Sequence, residues 1–302
     1  MLLLAAALLP RLFVDAGPES APKLKEAGIQ AIAVPAAQSD AWKAVPGITV
    51  EGVDPARAVK LVAPSVDYRA NQGSASRSPW INSNGWRYLR QPQMTFLYDV
   101  KGPQSALAAA EAFMFGGSAL IRSDDAGLKP LAAMLEMLRS VPPADLPPVT
   151  DIAFIDDGSA TAGEVLNLMV KANLLFRRVT AADRSARLNV KLGTKEFPLE
   201  DAKNPGKMAQ LIRSALTDDK RSVRVYGALT VVARVSGTPE RLRVQLLNYA
   251  GAERQVNGLR VRVLGRYTKQ NDPRLLDFTV EGDATEFTLP ELKTYAVIDL
   301  MR

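Results

Sequence analysis

Carboxylates recur just after the apolar runs of this 302-residue chain. Asp15 follows LFV, Glu51 follows ITV and Asp99 follows TFLY. Asp124 and Asp125 follow LIRS, and Asp156 and Asp157 follow IAFI. If those runs are parallel strands, their carboxyl ends share one face, where barrel and doubly wound folds hold their sites. Paired carboxylates there suit glycosidic cleavage: one acid protonates the leaving oxygen while another acts as nucleophile or base. Mg²⁺ or Ca²⁺, which take oxygen ligands, would suit them too. Each acid also has a structural reading, because Asp and Glu cap helices and fill first turns, which follow strands as well. Asp99 and Asp124 are the first catalytic candidates and Asp15 the third.

The chain has no cysteine and no histidine. Disulfides, thiolate nucleophiles, Ser-His-Asp arrangements and His- or Cys-ligated zinc or haem are therefore excluded. Proton transfer near neutral pH falls to carboxylates, Lys or Tyr. No metal ligands and no cofactor are assigned.

A second set of candidates lies in Tyr68 to Arg90, YRANQGSASRSPWINSNGWRYLR. Aromatic rings can stack on the apolar faces of a sugar, while amides and guanidinium groups bond its hydroxyls. Trp80, Asn82, Asn84, Trp86, Arg87 and Tyr88 are the binding candidates, with Tyr68, Asn71, Gln72 and Arg90 around them. The competing reading is a structural loop whose tryptophans plug a barrel mouth or a domain interface.

The elements that must position these groups alternate at first. Short apolar runs at Leu12–Val14, Ile29–Val34, Ile48–Val50, Val59–Val62, Thr95–Val100 and Ser118–Ile121 read as strands. Helices are expected over Ala21–Ala27, Gln104–Phe115 and Leu128–Leu138. Such alternation argues for a parallel sheet or barrel. After the proline-rich VPPADLPPV at 141–149, a strand at Ile152–Ile155 leads into a helix over Ala160–Leu174. The turn between them, from Asp157 to Gly163, could hold an anion on its amides, but it lacks G-x-G-x-x-G and the P-loop lysine. Leu175–Val179 and Leu188–Leu192 read as further strands. Asn204 and Pro205 read as the N-cap and first residue of another helix. From Ser222 on, seven short runs separated by turn residues predict an antiparallel β-sandwich.

The fold class expected is α/β, a reduced TIM-barrel-like or other βα-repeat with parallel strands, followed by an antiparallel C-terminal β-sandwich. The expected divisions are 1–11 as a signal segment, 12–140 as the barrel-like domain and 141–149 as a linker. Residues 150–219 would form an α/β unit, or complete the barrel, and 220–302 the sandwich.

Charge is uneven: residues 220–266 carry 10 basic and 2 acidic side chains, and 267–302 carry 4 basic and 7 acidic. Arg241, Arg243, Arg260 and Arg262 stand at period 2 and are expected on a solvent face. No aromatic-interleaved RNA-binding motif accompanies them, so nucleic acid is not an expected partner. Leu2 to Leu9 is too short to span a bilayer and resembles the apolar core of a secretory signal. A secreted or periplasmic location is expected, with a cytoplasmic one as the alternative. Homo-oligomerisation stays open.

INSNGWRYLR, AAAEAFMFGGSALI, IAFIDDGSATAGEVLNLMVKANLLFRRV, RSVRVYG and LRVQLLNYAG together resemble uncharacterised bacterial glycoside-hydrolase-like proteins. The layout is similar to that of β-galactosidase-type enzymes: a TIM-like barrel, a glutamine-amidotransferase-like α/β domain and a small β-sandwich. The resemblance implies a carbohydrate partner. It transfers no catalytic pair, and an amidotransferase-like unit without Cys or His is inert. The expected function is glycosidic hydrolysis by carboxylates. The rival is a catalytically inactive scaffold that binds a glycan or a protein. A third reading is an intracellular protein with a Mg²⁺-dependent phosphate site.

Overall fold

The computed structural model describes residues 9–70 and 77–302, without the side chains of residues 69, 70, 77 and 78. All but the last residue of the expected signal core at Leu2 to Leu9, and the candidates Asn71 and Gln72, lie outside the described residues. Two compact units form: residues up to Ser65 with Gln91–Ala144, and Val66–Arg90 with Asp145–Arg302.

The first unit carries six strands: β1 (Arg11–Phe13), β2 (Ala31–Pro35), β3 (Thr49–Val53), β4 (Val59–Leu61), and, after a hairpin of the second unit, β7 (Thr95–Val100) and β8 (Ser118–Ser123). They pair in the order β3-β2-β1-β8-β7-β4, with every ladder parallel. Steps from β1 through β3, and from β4 through β8, all run in one direction across the sheet. Right-handed crossovers then put every helix on one face. A doubly wound sheet reverses direction and is covered on both faces. The contacts agree with a single covered face. Tyr98 donates its hydroxyl to Glu111 at 2.7 Å, on the helix Gln104–Met114. A Cβ on Gly52, whose side of the sheet Tyr98 shares, would meet Ala36 and Ser39 at 3.2 Å.

The link between β3 and β4 makes the sheet curl. In a flat sheet the two would stand about 24 Å apart, five strand spacings. From Val53 to Val59 the chain has only six steps, about 20 Å at full stretch, and Pro55–Arg57 within it is a 3₁₀ turn. Val53 and Ala58 pack on the same cluster as Phe13, Ala33, Leu97 and Leu120. The first strand pairs with the last, and the ladder between β3 and β4 is absent. The six strands form a singly wound parallel sheet whose order is that of a βα-barrel opened between β3 and β4.

The second unit begins with the paired strands β5 (Ser65–Ala70) and β6 (Arg77–Asn82) and the short helix Gly85–Arg90. A parallel sheet follows, ordered β10-β9-β11, from β9 (Ile152–Ile155), β10 (Phe176–Val179) and β11 (Leu188–Lys191). Ser159 caps the helix Ala160–Lys171, accepting from the Ala162 amide at 3.1 Å. Asn204 caps the helix Pro205–Leu216 in the same way.

The sandwich contains β12 (Val223–Tyr226), β13 (Val231–Gly237), β14 (Arg241–Asn248), β15 (Val256–Leu264), β16 (Lys269–Gln270), β17 (Leu276–Glu281), β18 (Ala284–Leu292) and β19 (Tyr295–Met301). Its two antiparallel sheets run β12-β15-β18-β17 and β13-β14-β19-β16. Val244, Leu246, Val261, Val263, Phe287, Leu289, Ile298 and Leu300 fill the space between them. The proline-rich stretch ends along β13, where Val149 donates to Val235 and Gly237 donates to Pro147. The solvent-face expectation fails for Arg243. Its side chain is buried and bidentate on the buried Asp299, at 2.7 Å twice, with Arg241 on the same carboxylate. Alternation gave the correct face, but that face of β14 is itself covered.

Where the last α/β helix ends, Asp218 accepts from Arg213 at 2.9 and 2.7 Å and from Arg221 at 3.1 Å. The Arg213 bonds hold its carboxyl well below the usual range, with Arg221 adding to the effect. A depressed carboxylate contributes stability above its unfolded pKa of about 3.9, and loses it as pH falls through the folded value. Asp218→Asn should therefore lower stability at pH 7 by at most about 1 kcal/mol, the pair being partly exposed. The loss should shrink as pH falls below the unfolded value. Urea titrations between pH 7 and pH 2 read the difference, and equal losses at both ends would refute it.

Candidate functional site

Register divides the barrel strands into two faces. One carries Leu12, Ile32, Val34, Phe96, Tyr98 and Ile121 and lies under the helices. The inner one carries Arg11, Phe13, Ala33, Glu51, Leu97, Asp99, Leu120 and Arg122. Asp99 and Arg122 stand toward the carboxyl ends, Glu51 at the middle of β3 and Arg11 at the start of β1. Arg122 occupies the centre of the carboxyl-end rim. Its Nη2 lies 2.6 Å from Asp15 and its Nη1 lies 3.3 Å from Asp99. Its guanidinium stands 5.3 Å from the Phe13 ring centroid, within cation–π range. Arg11 pairs with Glu51 beside it, and burial pulls the Arg11 guanidinium below its ordinary value.

The loop that places Asp15 is held by its neighbours. Val14 donates to Ala33, Gln38 donates to the Asp15 carbonyl, and the fully buried Trp42 donates to the Ala16 carbonyl. The carboxylates of Asp15 and Asp99 remain open to solvent, Asp99 being 73% exposed. Asp124 does different work. One of its oxygens accepts from the Gly127 amide at 3.0 Å, capping the helix Asp125–Ser140, and from the Gly102 amide at 2.8 Å. The structure thus brings Asp15 and Asp99 onto one arginine and uses Asp124 as a helix cap. Arg122 was missed in the sequence. Its signal was a lone cation in an apolar strand, in phase with Leu120 and opposite Asp99. Among the described residues, no group of three or more acids is arranged to hold a metal ion.

The six binding candidates all belong to the second unit. Trp80 is half-buried, with the Lys171 ammonium 3.9 Å from its ring centroid. Asn82 donates to Asp67 at 2.8 Å. Asn84 is buried and opens the helix Gly85–Arg90, its carbonyl accepting from Arg87. Tyr88 is fully buried. Trp86 is buried as well, with Arg87 4.4 Å and Arg90 5.9 Å from its ring. Arg87 alone of this helix's candidates is exposed.

This short helix packs on the α/β sheet at a telling position. The order β10-β9-β11 makes the carboxyl end of β9 the topological switch point, where such sheets take ligands. Asp156 stands there with its side chain 1% exposed. Arg90 grips it with two bonds of 2.8 Å and donates also to the Ser159 carbonyl. The chain's own Arg90 and Trp86 occupy this crevice. Gly163, in the helix that follows, permits the approach: a Cβ there would meet Arg90 at 2.8 Å and Trp86 at 3.0 and 3.1 Å. An alanine normally stabilises a helix interior by about 1 kcal/mol over glycine. Gly163→Ala should instead destabilise, by about 1–3 kcal/mol of overpacking. A higher thermal midpoint for the variant would contradict this.

The chain matches no protein-family profile and no curated protein sequence. Solved structures do resemble it. Alpha-L-fucosidase isoenzyme 2 from Paenibacillus thiaminolyticus aligns with a TM-score of 0.54 at 9% identity, over 87% of this chain and 70% of that one. A noncanonic maltogenic alpha-amylase from Thermotoga neapolitana aligns over 99% of this chain and 100% of that one at 9% identity. Its TM-score of 0.27 carries no argument. At these identities the first likeness concerns the fold alone. The chain's own fold is a set of parallel α/β strands with helices, then an antiparallel sandwich. No helix among the described residues is long and apolar enough to cross a membrane.

Proposed function

We propose that this chain is a carbohydrate-binding protein built on a glycoside-hydrolase-like scaffold, holding a sugar at the barrel rim without cleaving it. One observation carries the reading: Arg122 engages both Asp15 and Asp99, while Asp124 caps a helix. Glycosidic cleavage needs one carboxyl that hands over a proton and another left open to attack or activate water. Here both open carboxylates are paired with one guanidinium, in a solvated rim. The same groups suit recognition, since carboxylates accept from sugar hydroxyls and a guanidinium donates to them in a fixed fork. The fucosidase of similar fold is named for a sugar substrate, which favours a carbohydrate as the partner.

The test is a glycan array with a parallel reducing-sugar assay, on wild type, Arg122→Ala and Asp99→Asn. Binding without turnover is expected, weakened about tenfold or more in Arg122→Ala, as a lost charged hydrogen bond implies. Turnover that disappears in Asp99→Asn would establish hydrolysis instead. Absence of any retained glycan would reject the carbohydrate reading.

A further inference from the structure

The chain contains two Asn-Gly pairs, Asn84–Gly85 and Asn257–Gly258. Chemically they are alike, because glycine leaves its amide nitrogen uncrowded beside the preceding side-chain carbonyl. Their surroundings are opposite. Asn84 is 4% exposed, its backbone carbonyl accepts from the Arg87 amide at 2.8 Å, and the Gly85 amide donates to the Ser83 hydroxyl at 3.1 Å. Asn257 and Gly258 are both exposed.

Asn-Gly commonly makes a hairpin turn, yet this second pair lies within β15. Regular alternation would put Val256 and Leu259 on opposite faces. Both pack on the sandwich core, as do Leu289 and Leu292 across the ladder. The reversal falls at Gly258, whose φ of 64° is in the left-handed region. The ladder is thin there: β12 ends at Tyr226, opposite Arg260, and the register sets Pro290, which has no N–H, opposite Gly258. Beyond its chain neighbours, nothing lies within 4 Å of where a Cβ on Gly258 would stand, so solvent reaches the residue. Gln255 donates its side-chain amide to Asn257 Oδ1 at 3.2 Å.

We propose that Asn257 is a site of self-modification, in which the Gly258 nitrogen attacks Asn257 Cγ and expels the side-chain amide. The Gly258 amide proton passes to hydroxide, and the new N–Cγ bond closes a five-membered imide. The Cγ–Nδ2 bond breaks, and the leaving nitrogen takes a proton from water to depart as ammonia. A second water opens the imide at either carbonyl, leaving aspartate or isoaspartate. Negative charge develops on Oδ1 during the attack, and the Gln255 amide is aimed at that oxygen. The new carboxylate stands opposite Glu291, and like charges directly opposite disfavour pairing.

The test holds the folded full chain at mildly alkaline pH and follows conversion by mass spectrometry of tryptic peptides. Cleavage at Arg254 and Arg260 isolates QVNGLR, and cleavage at Arg77 and Arg87 isolates SPWINSNGWR. Asn257 should convert at least about tenfold faster than Asn84, which must first escape its folded surroundings. Gln255→Ala, at an exposed position, should slow conversion of Asn257 about threefold, the effect of one solvated hydrogen bond. In urea the two sites should convert at similar rates. No conversion of Asn257 in the folded chain, equal rates at the two sites when folded, a difference that persists in urea, or an unchanged rate in Gln255→Ala would each overturn the proposal.

Discussion

Replacing Asp151 by alanine should cost about 3–5 kcal/mol, the toll for breaking a buried ionic network from one side. Its side chain is 2% exposed. One oxygen accepts from the Ser222 amide at 2.9 Å, and the other from the Ser222 hydroxyl and Arg187 at 2.6 Å each. Its own backbone bonds Leu175, Arg187 and Leu188, at the starts of β10 and β11. One residue therefore ties the amino ends of the parallel sheet to the first strand of the sandwich. Arg187 also donates to the Lys220 carbonyl, so the alanine variant leaves a cation partly covered and a serine without its acceptor. In the unit of Val66–Arg90 and Asp145–Arg302, 1 kcal/mol corresponds to about 2–4 °C. The thermal transition should fall by on the order of 10 °C. Asp151→Asn can still accept from Ser222 and should recover part of the loss. A shift of only 1–2 °C in the alanine variant would show that the network contributes little.

Such a network illustrates what the sequence made legible and what it hid. Periodicity located the elements: the helix expected at Gln104–Phe115 spans Gln104–Met114, and the strand at Thr95–Val100 has those limits. Asn204 and Pro205 begin their helix because cap chemistry is local. The order of strands is not local. Nothing near β1 announces that it lies beside β8, so the singly wound path and its seam emerge only from the ladders. The segment Tyr68–Arg90 lacked periodicity, and the part from Trp80 to Arg90 takes its order from distant partners, such as Lys171 on Trp80 and Asp156 on Arg90. For the acids, strand-end position was readable but function was not: Asp124 and Asp15 sit after strands alike, yet only the first has amides aligned for capping. Arg122, between two candidate acids, changes what both can do, and pairing across strands cannot be read along a chain.

Replacing Arg90 by alanine should have a comparable effect, about 3–5 kcal/mol, because it strands the buried Asp156 carboxylate. The remaining partners are insufficient. Gly158 donates its amide at 3.0 Å, and Arg178 stands 3.6 Å away. Arg178 also bonds the Arg90 carbonyl, so it depends on the same helix. Arg90→Lys should fail to rescue, since an ammonium replaces a fork that bonds both carboxylate oxygens and the Ser159 carbonyl together. Pairing Arg90→Met with Asp156→Leu should recover most of the stability, because it removes both charges and keeps the volume. The crevice gives this cycle a second readout. Trp86 is held against Gly163 by its neighbours, so its fluorescence should shift red in Arg90→Ala and return in the double variant. A stable Arg90→Ala with unchanged Trp86 emission would mean that packing of the tryptophan alone seats the helix, with the ion pair contributing nothing measurable.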